Sequence, residues 1–158
     1  MTIESPLGPL LLVERAGELA AVHLPPHEPL ADAIAERTPL LQRTAQQLAE
    51  YFAGERRTFE LPLAPRGTGF QDRVWRALTQ IPYAETRSYG ELARAIGRPA
   101  ASRAVGAANG KNPIAIIIPC HRVIGANGTL TGYAGGLPAK RWLLAHERRA
   151  VQPMLVAG

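Results

Sequence analysis

Apolar residues gather near the start of the chain in two runs, Leu7 to Val13 and Leu19 to Leu24, on either side of the turn signal Ala16-Gly17, which predicts a β-hairpin. Thr38-Pro39 has the form of a helix cap followed by proline at the first helical position. Leu40, Leu41, Leu48, Tyr51 and Phe52 then recur at helical spacing as far as Gly54. Thr58 to Leu63 predicts a third strand. Pro62, Pro65, Gly67 and Gly69 make a stiff, helix-poor passage that sets a boundary near residue 65, so residues 1–65 are expected to form a small N-terminal α/β domain.

Past the boundary, Phe70, Val74, Trp75 and Leu78 give a helical face from about Gly69 to Gln80, ended by Pro82. Ser88 to Gly97, SYGELARAIG, is a short amphipathic helix capped by Ser88, and Gly97-Arg98-Pro99 supplies a tight turn into a second short helix, AASRAVGAANG. Two short helices joined by a glycine-containing turn make a helix-turn-helix. Ile114 to Ile118 predicts a strand apolar on both faces, Gly125 to Gly136 a glycine-rich loop, and Leu137 to Glu147 a last helix with Trp142, Leu143 and Leu144 as its core side. Residues 66–150 are thus expected to form the second domain, with 151–158 a disordered tail.

Charge divides along the same boundary. Up to Pro65 there are 5 arginines against 9 acidic residues, a net −4, whereas from Arg66 onward 13 cations face Asp72, Glu85, Glu91 and Glu147, a net +9. A basic half joined to an acidic half points to a polyanion partner, with an arginine-rich solvated surface as the plain alternative. The second helix of the pair presents Ala100, Ala101, Ala104, Ala107 and Ala108 rather than base-reading side chains, a composition for close approach and for sequence-independent contact with DNA phosphates and shape. Arg103 is the exception, as a phosphate contact or a surface ion pair. The start, MTIESPLGPLLLVERAG, lacks a basic region followed by a long apolar stretch, and one cysteine cannot form an internal disulfide. A cytoplasmic protein with no membrane partner is expected.

That cysteine, Cys120, sits in IPCHRV, and an isolated cysteine is most often a small buried hydrophobe. Three features favour a nucleophile. The end of a strand beside Pro119 would aim the thiol at a cavity. His121 and Arg122 bring positive charge that favours the thiolate over a free thiol of pKa ~8.5. His146-Glu147 offers a carboxylate to orient an imidazole. Neighbours on a strand point to opposite sides, so a water between Cys120 and His121 is expected rather than direct contact. One cysteine and four scattered histidines show no metal-ligand spacing.

IPCHRV, preceded by SYGELA and SRAVGAANGKNP and followed by GYAGGL and LLAHE, closely resembles the O6-alkylguanine-DNA alkyltransferase family, also called methylated-DNA-protein-cysteine methyltransferases. Five motifs in order cover about Thr68 to Arg148, and SPLGPLLLV carries a weaker likeness in the first part. The resemblance implies an α+β fold in which a small ribonuclease-H-like N-terminal domain packs on a winged-helix-like C-terminal domain with a helix-turn-helix. It implies irreversible transfer of an alkyl group from O6-alkylguanine, and from O4-alkylthymine, in double-stranded DNA to Cys120 after base flipping. Each molecule would react once, without cofactor or metal, as a monomer able to assemble along DNA. His121 would deprotonate Cys120 through water with Glu147 orienting it, Asn112 would brace the turn before the active-site strand, and Tyr89 would help swing the phosphate and then face the flipped base. The carbonyls of Cys120 and Val123 would read the guanine amino group, and Tyr133 with the backbone at Ala134 would form the lid. Ser88, Tyr89, Ala101, Ser102, Arg103, Ala104 and Gly106 would contact the minor groove, Arg103 entering the duplex. Ala134 departs from the serine common in the family, and the cysteine-rich zinc site of some relatives has no residues here to build it.

Three other readings differ in class. A damage-sensing module of the alkyltransferase-like type has tryptophan where Cys120 stands. A cysteine hydrolase would not require the helix-turn-helix or the basic half, and a transcription regulator would need more base-reading groups than the alanine-lined helix offers.

Overall fold

The computed structural model describes residues 1–27 and 37–152. It divides into two compact units, Met1–Arg66 with Pro113–Ile117, and Gly67–Asn112 with the chain from Ile118 onward. Among the described residues no helix is long and apolar enough to cross a membrane.

The first unit is built on a three-stranded antiparallel sheet, β1 (Thr2–Ile3), β2 (Leu10–Arg15) and β3 (Glu18–His23). β2 and β3 form the expected hairpin. Ala16 and Gly17 both have positive φ, +53° and +82°, the two-residue turn whose twist matches that of the strands it joins. Helix α1 (Pro39–Phe52) starts where Thr38 predicts, its hydroxyl accepting from Leu41 N at 3.1 Å, and buries Leu40, Leu41, Leu48 and Tyr51.

Two expected strands do not form. Between Thr58 and Leu63 only Leu63 pairs, as a single bridge to Leu19. Pro62 has no N–H for a ladder, and the backbone of Glu60 is taken instead by buried Gln47, whose amide donates to Glu60 O at 3.2 Å while Glu60 N donates to its Oε1 at 3.0 Å. Ile114 to Ile118 likewise makes one bridge, Ile114 to Val22, and then turns. Ile116 has φ +71°, a conformation costing a β-branched residue about 1–3 kcal/mol, and Ile117 N donates back to Ala115 O at 2.8 Å. The run is continuously apolar because every side chain in it is buried.

The second unit contains α2 (Gly69–Leu78), α3 (Tyr89–Ala95), α4 (Ser102–Gly110) and α5 (Leu137–Val151). A short parallel pair, β4 (Arg87–Ser88) with β5 (Val123–Ile124), accompanies them. Capping boxes start α2 (Thr68 with Gln71) and α3 (Ser88 with Glu91). The Trp75 indole of α2 donates to Ala108 O of α4 at 2.8 Å, and Gly97, at φ +75°, makes the turn that separates α3 from α4. In α5 the buried face is Lys140, Leu143, His146 and Glu147. Trp142 and Leu144, expected on the core side, are only partly covered, and Trp142 stacks on His146 at 4.8 Å. The helix runs on through Val151, the first residue of the expected tail, and residues 153–158 of that tail lie outside the described residues.

Candidate active site

Cys120, His121 and Arg122 form one turn of 3-10 helix rather than the end of a strand, and all three are buried. The turn follows from Pro119 and from a bond of Cys120 N to Ile118 O at 2.8 Å. Facing it from α5 is Glu147, fully buried. Its Oε2 accepts from His121 Nε2 at 2.7 Å and from Arg122 Nη2 at 3.0 Å, and its Oε1 from Arg122 Nε at 2.9 Å and Ala84 N at 3.1 Å. The remaining reach of Arg122 goes to Ile81 O at 2.8 Å, with the guanidinium over the Tyr83 ring at 5.5 Å.

These contacts fix the imidazole tautomer. Burial alone would raise the carboxyl pKa of Glu147, but the hydrogen bond from His121 and the hydrogen bonds and charge of Arg122 outweigh it and hold the group ionised, well below the usual carboxylate range. An ionised carboxylate only accepts, so His121 must carry its proton on Nε2. The other nitrogen, Nδ1, is then a free lone pair, buried and without a hydrogen-bond partner among the described residues. Burial keeps the ring neutral by lowering its pKa from 6.5, although Glu147 pulls the other way. A neutral, oriented imidazole with one open nitrogen is a general base.

The thiol corrects an expectation. Burial raises the Cys120 pKa, so the resting form is the thiol and not a standing thiolate. The opposing influences are the Asn112 amide, the Lys140 ammonium and the Tyr133 hydroxyl. Arg122, expected to supply the positive charge, is instead committed to Glu147. Burial, and after it the neighbouring Cys120 thiol, raise the pKa of the buried Tyr133 hydroxyl well above 10. Asn112 donates to Ile118 O at 2.8 Å, spanning the approach to the 3-10 turn.

Lys140 and Asn109 are additions that the sequence reading missed. Lys140 is fully buried and donates through Nζ to Thr131 O at 3.1 Å. Its signal was spacing, since 140, 143 and 147 share one face of a helix and two of the three are charged. Asn109 of α4 donates to Cys120 O at 3.3 Å, and Val123 N bonds the same carbonyl. The Cys120 carbonyl, expected to read a guanine amino group, therefore already has two protein donors. Val123 is buried at the start of β5, and Ala134 is exposed in the loop before α5.

The remaining candidates gather on α3 and α4. Ser88 caps α3, and Tyr89 opens it, with its hydroxyl 2.6 Å from Thr131 Oγ1. A Cβ on Gly106 would meet the Tyr89 ring at 3.7 Å, so ring and α4 lie in van der Waals contact. Arg103, Ala104 and Ala107 are exposed, and Ala101, Ser102 and Gly106 half-buried. Ala108 is buried and does not belong to the presented face. Among the described residues no group of three or more His, Cys, Asp or Glu side chains could hold a metal ion.

Two family descriptions match the chain: "6-O-methylguanine DNA methyltransferase, ribonuclease-like domain" over residues 1–65, and "6-O-methylguanine DNA methyltransferase, DNA binding domain" over residues 69–149. A methylated-DNA--protein-cysteine methyltransferase of Methanosarcina acetivorans is 53% identical over 147 residues, covering 91% of this chain and 94% of its own. The crystal structure of Mycobacterium tuberculosis O6-methylguanine methyltransferase matches with TM-score 0.85 and 50% identity over 94% of this chain and 92% of its own. That of Mycobacterium tuberculosis OGT in complex with DNA matches with TM-score 0.87 and 52% identity over the same shares.

Proposed function

The chain belongs to the 6-O-methylguanine DNA methyltransferase family, whose two domains it carries in order, and from that premise we propose that it repairs DNA by moving an alkyl group from guanine O6 onto its own Cys120. The observation that carries this reading is the buried Glu147–His121 pair, whose imidazole keeps one nitrogen open, in the same 3-10 turn as the Cys120 thiol.

The chemistry follows from those atoms. A water between Cys120 and His121 Nδ1 passes the thiol proton to the imidazole, and Glu147 stabilises the imidazolium that results. Asn112, Lys140 and Tyr133 stabilise the thiolate. Sulfur then attacks the alkyl carbon in line, the carbon–O6 bond breaks, and guanine leaves with its electron pair, accepting a proton or hydrogen bond from Tyr89. A thioether has no route to hydrolysis in this pocket, so one molecule reacts once. O4-alkylthymine presents the same alkyl–oxygen bond and is a second substrate of this reading.

Access requires the base to leave the helix, at roughly a few kcal/mol and least for a poorly paired lesion. α4 enters the minor groove of double-stranded DNA. The small residues Ala101, Ser102, Ala104 and Gly106 let its backbone approach, Arg103 occupies the vacated stack, and Ser88 and Tyr89 engage the phosphate. The Val123 carbonyl reads the guanine amino group, and Tyr133 with the Ala134 backbone closes over the base. Contact is sequence-independent, and one protein molecule suffices for the reaction.

The test uses duplex DNA bearing O6-methylguanine with a labelled methyl group. Wild type becomes labelled, whereas Cys120→Ala binds the same duplex and takes no label. Label on the Cys120→Ala chain would overturn the assignment.

A further inference from the structure

The loop between β5 and α5 is self-contained at its start, where Gly125 N bonds Thr129 O at 2.8 Å, and again before α5, where Gly136 N bonds Tyr133 O at 2.9 Å. Between those points Thr131 is anchored twice. Its carbonyl accepts from the buried Lys140 ammonium, and its hydroxyl meets the Tyr89 hydroxyl at 2.6 Å. The two anchors differ in kind. The first reaches a buried cation through the backbone. The second joins an exposed threonine to a half-buried tyrosine whose ring also rests on Gly106 of α4. Tyr89 thus links α3, α4 and a loop that, two residues further on, places Tyr133 against the thiol.

We propose that Thr131 is a specificity-determining latch: its hydroxyl holds Tyr89 against the loop that covers Cys120, and a base that takes over the Tyr89 hydroxyl frees that loop to admit the base and close again over it. The inference rests on the alkyl-transfer reading, in which Tyr89 faces the flipped base. Either hydroxyl of the pair can donate; the latch is the arrangement in which Tyr89 does, and its one proton cannot then serve Thr131 and a ring nitrogen of the base together. The arriving purine supplies an acceptor that replaces Thr131, and the exchange is nearly balanced. A small electrophile has no such acceptor and reaches the thiol only when the latch opens unaided. Thr131 thereby favours an extruded base over adventitious alkylating agents, protecting a protein that can react only once.

The test is the rate at which iodoacetamide alkylates the single cysteine, measured across pH on the full chain for wild type, Thr131→Val, Tyr89→Phe and the double variant. Each single substitution is expected to raise the rate about threefold to tenfold, the weight of one hydrogen bond, and the double variant no more than either single. The pH midpoint should stay where it is, because the Thr131 carbonyl still holds Lys140. Thr131→Ser keeps the hydroxyl and should keep the wild-type rate. Single-variant rates within twofold of wild type, effects that multiply in the double variant, or a faster rate with a displaced pH midpoint would each overturn the latch. Methyl uptake from DNA is scored separately. Wild type that takes methyl from DNA while Thr131→Val changes nothing sinks the latch alone, and wild type that takes none sinks the function on which it rests.

Discussion

Replacing Glu147 by glutamine changes one oxygen to an NH2 group and almost nothing in volume, which makes it a sharp probe of the buried site. In the native protein both carboxylate oxygens only accept: Oε1 from Ala84 N and Arg122 Nε, Oε2 from His121 Nε2 and Arg122 Nη2. A glutamine amide must turn its NH2 toward one of these pairs, and either orientation sets donor against donor. Arg122, itself buried, also loses its counter-charge. Removing one partner from a buried, hydrogen-bonded ion pair costs about 3–5 kcal/mol. For a chain of this size that corresponds to a melting temperature lower by roughly 6–20 °C. Transfer should slow as well, because Glu147 raises the proton affinity of His121 and its loss weakens the base. Thermal melts followed by circular dichroism measure the first effect, and single-turnover methyl uptake the second. Replacing Arg122 and Glu147 together by methionine should recover part of the lost stability, since no unpaired charge is then left inside. A Glu147→Gln protein melting within about 1 °C of wild type would refute the view that this carboxylate is the buried acceptor for Arg122, His121 and Ala84 N.

Acid should destabilise the protein in two stages. The folded pKa of His121 is depressed below 6.5, so the unfolded chain takes up that proton first, and stability is lost as pH falls from about 6.5 through the folded value. Glu147, also depressed, adds a second loss as pH falls below 4.5. Denaturant titrations at a series of pH values check both, and stability that holds constant from pH 7 to 5 would contradict the first. Because a depressed His121 remains a base in mild acid, the acid limb of methyl transfer should lie below pH 6.5. Ala84 stands at φ +66° and offers its N–H to Glu147, so Ala84→Gly relieves left-handed backbone without touching the contact. A gain of about 0.5–1 kcal/mol in unfolding free energy is expected, and a loss would show that the alanine methyl packs more than it strains.

What the sequence made legible was what local chemistry decides. Ala16-Gly17 can only turn, Thr38-Pro39 can only begin a helix, and the capped pair of short helices around Gly97 follows from the same rules. Cys120, His121 and Glu147 were readable because their residue types are rare in such company, and Glu147 lies on the same helix face as Leu143. The strand expected at Ile114 to Ile118 failed because burial from every side gives the same apolar run as a central strand, while Pro113, Pro119 and the left-handed Ile116 decide the backbone. The third strand failed because a side chain, Gln47, does the pairing that a neighbouring strand would have done. The sign of the thiol shift depends on how far burial outweighs Lys140, Asn112 and Tyr133. Lys140 is 20 residues from the cysteine, and its approach depends on how α5 and the loop before it return to the 3-10 turn.

If Cys120 itself accepts the alkyl group, the intact mass of the protein records the transfer. After incubation with an excess of duplex containing O6-methylguanine, the protein is expected to gain one methyl group per chain, mapped to the peptide containing Cys120 and not increased by further substrate. An unchanged mass, or methyl located on any other residue, would contradict transfer to Cys120.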